Sequence, residues 1–194
     1  MRIGLYTESF NMPLLLRICL LITLIVFFFA NNSPAKTAKE IDASVDAAIK
    51  RFYKQVDEAK TLVKKSKGML VMPNVVKGAF IIGGEYGEGA LRIRGKSVDY
   101  YNTISGSIGL QIGGQAKDII LLFMTDKALK QFRAAKGWEA GVDGNVALIT
   151  VGAGERADTT TSKAPIIGFV FDAKGLIADI SLKGAKFTKL DKKE

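Results

Sequence analysis

The chain has 194 residues, 48% of them hydrophobic and 24% charged, with 28 Lys and Arg against 19 Asp and Glu for a net charge of +9. These are globular values, which exclude wholesale disorder and suit one domain with a real core. There is no histidine and a single cysteine, Cys19, so imidazole acid–base chemistry and the commonest zinc ligand are excluded.

Residues 1–35 read as a targeting segment. Arg2 and Arg17 are basic, and Ile18 to Ala30 is an apolar run of 13 residues broken only by Thr23. That run suits a signal peptide and is shorter than the ~17–25 residues of a membrane span. Ser33-Pro34-Ala35 places small residues where a signal peptidase reads, which predicts cleavage after Ala35. Met12 is a second candidate start. Arg17-Ile18 before Cys19 does not fit a lipidation site. The rival reading is an uncleaved anchor from about Pro13, with Arg17 snorkelling. Cleavage would remove Arg2, Arg17, Glu8 and Cys19, leaving a charge of +8 and no thiol for disulfides, catalysis or metal binding. A basic exported domain favours an anionic partner; export argues against nucleic acid.

Thr37-Ala38-Lys39-Glu40 fits a capping box. Ile41, Val45, Ala48, Ile49, Phe52, Val56, Ala59, Leu62 and Val63 then recur at three-and-four spacing. The pattern predicts one amphipathic helix over about 38–66, ended near Gly68. Asp42 and Asp46 early, and Lys60, Lys64 and Lys65 late, complement the helix dipole. Lys50, Lys54, Lys64 and Lys65 lie opposite the apolar stripe; Arg51 and Lys60 border it. These six are the candidate lipid-binding residues. One reading is an interfacial helix with its apolar face in the acyl boundary; the other is a surface helix packed on a sheet.

Beyond Gly68 the periodicity shortens. Met69 to Met72 is an apolar run stopped by Pro73. Phe80-Ile81-Ile82 and Leu91 to Arg94 flank the glycine-rich residues Gly83 to Gly89, which predicts a hairpin with a bulged turn there. Ile108 to Ile112 alternates, and Asp118 to Met124 suits a buried strand. Thr125 or Asp126 caps a second, shorter helix, Lys127 to Ala135. Val146 to Val151, Ile166 to Phe171, Leu176 to Leu182 and Ala185 to Leu190 read as further strands, and residues 152–164 as a loop. The expected fold is α+β: a long N-terminal amphipathic helix packed on a mainly antiparallel sheet, with a second short helix.

No motif carries catalysis. Gly84-x-x-Gly87-x-Gly89 reverses the dinucleotide fingerprint, and no P-loop lysine follows. Glu85 and Glu88 read as solvated acids of a turn, and Trp138 as core or rim. No nucleophile motif is present, so the chain is read as a non-enzyme without a cofactor.

Several blocks resemble the SYLF domain family in order and spacing: Lys67 to Gly78, Gly83 to Gly89, Gly106 to Gln115, Leu121 to Leu129 and Lys174 to Ala185. Together they cover roughly residues 40–188. The chain departs from the family at Asp99-Tyr100-Tyr101-Asn102, where a tryptophan–proline element is common, at Val151 to Arg156, where a glycine–proline stretch is usual, and at Val170-Phe171-Asp172. The resemblance implies lipid binding associated with an N-terminal amphipathic helix; eukaryotic members bind phosphoinositides and some fungal ones bind actin. It implies here an exported, envelope-associated lipid binder whose partner is an anionic phospholipid membrane. The alternative is a structural or protein-interaction module with an envelope protein partner.

Overall fold

The structure, a computed structural model, describes residues 36–77, 84–106, 116–150, 164–172, 182 and 184–192. Two helices open the described chain, α1 (Ala38–Gln55) and α2 (Ala59–Lys65). The strands β1 (Gly68–Lys77), β2 (Gly84–Ile93), β3 (Lys96–Gly106) and β4 (Ala116–Phe123) follow, then α3 (Asp126–Ala134). The last strands are β5 (Gly137–Glu139), β6 (Ala147–Thr150), β7 (Ile166–Asp172) and β8 (Lys186–Leu190). Among the described residues these strands form one sheet in the order β5-β8-β3-β2-β1-β4-β7-β6. All neighbours are antiparallel except β6 and β7. The α+β class with a mainly antiparallel sheet is as the sequence led us to expect.

Both faces of the sheet are covered, which explains the unbroken apolar runs. Met69, Val71, Ile120, Leu122, Ile167, Phe169 and Phe171 pack with Ile41, Val45, Ala48 and Phe52 of α1 and Ala59 and Leu62 of α2. Leu70, Met72, Ile119, Leu121, Phe123, Ile166 and Val170 form the opposite core with Ala128, Leu129 and Phe132 of α3. Phe132 is the hub of that core, its ring 4.8 Å from those of Tyr101 and Phe123 and 5.5 Å from Trp138. Trp138 is therefore core rather than an interfacial anchor.

Several expectations need correction. The single helix over 38–66 is two: Val56 caps α1 in an extended conformation, and α2 resumes at Ala59. The apolar stripe survives the break because Phe52 and Ala59 stand seven residues apart and both enter the same cluster. The second helix ends at Ser66, and Gly68 begins β1 instead of terminating a helix. Pro73 does not stop β1; the pairing with both neighbours shifts register around it, and Asn74 takes φ 51°. The glycine-rich residues from Gly84 to Gly89 are strand, not turn. A Cβ on Gly89 would collide with the Val71 carbonyl oxygen and lie 2.7 Å from Met72 Sδ, so β1 and β2 approach too closely there for a side chain. The turn is Arg94-Gly95, closed by the Ile93–Lys96 pair, with φ 52° and 79°. β3 and β5 are additional strands, at Lys96–Gly106 and Gly137–Glu139, which no apolar run in the sequence marks. The runs at 80–82, 108–112 and 176–181 and the loop 152–163 lie outside the described residues.

Candidate lipid-binding face and cleft

The capping box sets the start of α1. Thr37 N–H donates to Glu40 Oε2 at 2.8 Å, and Glu40 N–H donates to Thr37 Oγ1 at 3.3 Å. The Thr37 N–H and the Thr37 hydroxyl, which donates to the same Oε2 at 2.9 Å, hold the Glu40 carboxyl below the usual range,. Asp42 and Asp46 act beyond the helix dipole. Asp42 accepts from the Ser97 hydroxyl at 2.5 Å and the Tyr100 hydroxyl at 3.0 Å, and Arg92 Nη2 reaches Asp46 Oδ1 at 2.9 Å. The first half of α1 is thereby pinned to the β2–β3 hairpin.

The apolar face of α1 faces the sheet. Ile41, Val45, Ala48 and Phe52 are each 0% exposed. Burying such side chains is worth roughly 1.5–3 kcal/mol for each large one, against a total stability of order 5–15 kcal/mol. Swinging this face into a bilayer would uncover the sheet residues it packs on, Val71, Ile120, Leu122, Phe169 and Phe171 among them, and leave them to water,. The structure therefore decides for the packed helix over the interfacial one.

What remains outward is charge. Lys50 and Lys54 on α1, and Lys60, Lys64 and Lys65 on α2, are all exposed. Arg51 does not join them. Its Nε lies 2.7 Å from Asp118 Oδ2, and Asp118, its side chain 3% exposed, also accepts the Asn74 N–H at 2.9 Å. Arg51 neutralises a buried carboxylate at the β1 bulge.

Where α1 and α2 meet the tip of the β2–β3 hairpin, a cleft of about 820 Å³ opens. Ile49, Tyr53 and Val63 supply apolar wall, and Lys64, Lys67, Arg92 and Arg94 supply cations against the one carboxylate, Asp126. Lys67 lies 3.9 Å from Asp126, both largely exposed, a separation worth little in water. Arg92 is taken by Asp42 and Asp46. Among the described residues Lys64 and Arg94 have no ion pair. Of this cleft the sequence pointed only to Lys64; Arg94 stands thirty residues away and arrives through strand register.

The paired acids of β2 are not solvated either. Glu85 binds Lys117 at 2.8 Å, and Glu88, 7% exposed, accepts from the Tyr86 hydroxyl at 2.7 Å with Lys192 at 3.4 Å. Partial burial, helped by the Glu88 carboxylate, pushes the Tyr86 hydroxyl up to about 12,. Among the described residues no group of three or more His, Cys, Asp or Glu side chains could hold a metal ion. No described helix is long and apolar enough to cross a membrane.

Residues 104–194 match the family model Ysc84, described as Las17-binding protein actin regulator. That match is to the SYLF family, the one the sequence blocks resemble. The matched SYLF segment takes in the end of β3, β4, α3 and β5 to β8; the cationic helices and the hairpin tip precede it. No curated protein matches the chain.

Proposed function

We propose that this protein is an exported, envelope-associated binder of anionic phospholipid membranes that catalyses nothing. The observation that carries the reading is the outward set of lysines: Lys50, Lys54, Lys60, Lys64 and Lys65 are exposed on two helices whose apolar sides pack on the sheet. Contact with lipid is then electrostatic, between these cations and acidic head groups, rather than by insertion of α1. The SYLF resemblance and the signal-like segment support a lipid role outside the cytosol. The family description names an actin regulator; export would take the chain away from actin.

Each basic residue near an anionic surface is worth about 1 kcal/mol. Reversing Lys50, Lys54, Lys64 and Lys65 to Glu is expected to weaken binding to acidic vesicles by several tenfold steps, each ~1.4 kcal/mol. Wild-type binding is expected to fall with added salt, since exposed charges are screened over ~8–10 Å near physiological ionic strength. Co-sedimentation with acidic and neutral vesicles measures both, and circular dichroism confirms that the variant is folded. A folded quadruple variant that binds acidic vesicles like wild type removes the helices from the lipid contact.

A second reading, a protein-interaction module of the envelope, is favoured by one feature. Val76, Tyr86 and Ile104, 44%, 38% and 52% exposed, stand side by side across β1, β2 and β3. A contiguous exposed apolar row is unusual on a monomer surface. Failure of vesicle binding would turn the search for a partner to this row.

A further inference from the structure

We infer that the cleft between the helices and the β2–β3 hairpin holds one anionic amphiphile at a time, its phosphate at Lys64, Lys67 and Arg94 and its first acyl carbons against Ile49, Tyr53 and Val63. The inference rests on the reading of this protein as a binder of anionic lipid and adds a site for a single molecule to the outward lysines that meet a bilayer.

Three observations carry it. The first is size and lining: about 820 Å³ lies within the roughly 300–1,000 Å³ of small-molecule sites, and the lining is shared about equally between apolar and polar surface, as an amphiphile with a charged head requires. The apolar residues here are recessed, so they can take an acyl chain that has left a bilayer but cannot enter one.

The second is charge. Lys64 and Arg94 are exposed cations without an ion pair among the described residues, and Lys67 has only the loose contact with Asp126 at 3.9 Å. An arginine with two lysines suits a phosphate monoester, which carries about −1.5 to −2 charges and several strong acceptor oxygens.

The third is backbone strain. Arg94 holds φ 52° at the first position of a two-residue hairpin turn, where asparagine, aspartate or glycine is the ordinary choice. A left-handed conformation is unfavourable for an ordinary side chain, whose Cβ crowds the following carbonyl oxygen. The neighbouring Gly95, φ 79°, meets the same demand with the residue that suits it,. Arginine in this strained position is exposed and brings a cation to the lining of the cleft. Arg92 Nη1 donates to the Gly95 carbonyl at 3.0 Å and fixes the turn there.

The test uses lysophosphatidate below its critical micelle concentration, titrated into the purified full chain by calorimetry. Lysophosphatidylcholine, glycerol 3-phosphate and acidic vesicles form separate arms. Saturable one-site binding of lysophosphatidate is expected, at least tenfold tighter than the choline lipid or the bare headgroup. Arg94→Asn, which keeps a residue favoured at positive φ, is expected to lose at least tenfold in affinity with an unchanged or raised thermal midpoint. Lys64→Gln, an exposed change, is expected to weaken binding as well. Acidic vesicles bound without monomeric lysophosphatidate overturn the cleft and leave the surface reading; monomer bound without vesicles overturns the surface reading and leaves the cleft. Wild-type affinity in both variants also overturns the cleft assignment.

Discussion

Lys50 and Arg51 are adjacent cations with opposite roles, and only burial separates them. Lys50 points to solvent, whereas Arg51 closes on Asp118, whose side chain is 3% exposed. Removing one partner of a buried pair costs about 3–5 kcal/mol because the other charge is left uncompensated. Arg51 keeps 29% of its side chain in solvent, so the lower end, about 3 kcal/mol, is expected for Arg51→Ala. Lys50→Ala is expected to change stability by about 0.5 kcal/mol or less. Urea unfolding of the two variants measures the contrast, and equal midpoints would contradict the structural role given to Arg51. Helical phase puts Lys50 opposite the apolar stripe and Arg51 at its border; it cannot find the carboxylate, which stands 67 positions away on β4.

At the scale of elements, β2 is where the linear reading and the fold part. Six residues containing three glycines, Gly84 to Gly89, look like a turn because glycine usually marks one. Here glycine serves a close approach of strands at the β1 bulge. Gly89→Ala is expected to destabilise by about 3 kcal/mol, at the upper end for overpacking, because its Cβ would meet the Val71 carbonyl oxygen and lie 2.8 Å from Met72 Cα, neither of which can rotate away. Gly106→Ala, with nothing within 4 Å, is expected to stay within about 0.5 kcal/mol. Thermal unfolding of the pair measures the difference, and comparable midpoints would show that β1 can yield. Where periodicity is set by local rules, the sequence was legible. The capping box and the α3 cap at Thr125 appear as read, the latter accepting the Ala128 N–H at 3.2 Å. The apolar runs of β1, β4 and β7 are strands buried on both faces, as such runs imply. The break in the helix at Val56 and the strand β3 were not legible. Both depend on partners distant in sequence: Phe52 of α1 seats on Phe169 and Phe171, with ring centroids 4.8 and 6.0 Å away, and β3 pairs with both β2 and β8. The cleft has the same origin, since no local pattern joins Lys64 to Arg94.

At the scale of the molecule, residues 36–194 form one compact unit, and the proposed function asks that this unit work outside the cytosol. Ile18 to Ala30 provides 13 residues of apolar run, short for the ~17–25 of a spanning helix, and Ser33 and Ala35 are the small residues a signal peptidase needs. Cleavage after Ala35 leaves the first helix whole, because its capping box begins at Thr37. It also keeps Lys36, whose carbonyl accepts from Lys192 at 2.5 Å and so ties the start of the unit to its end. The cut removes two cations and one anion, Arg2, Arg17 and Glu8, and the mature charge of +8 still favours an anionic surface,. The mature N-terminus is therefore expected to be Lys36. Intact mass of the protein isolated from its own envelope fraction checks this: a species corresponding to residues 36–194 is the expected result. A mass that retains residues 13–30 would mean an uncleaved anchor, and the outward lysines would then act on a membrane to which the chain is already tethered. In that case the quadruple lysine variant would stay membrane-bound in cells while losing vesicle binding as the isolated unit.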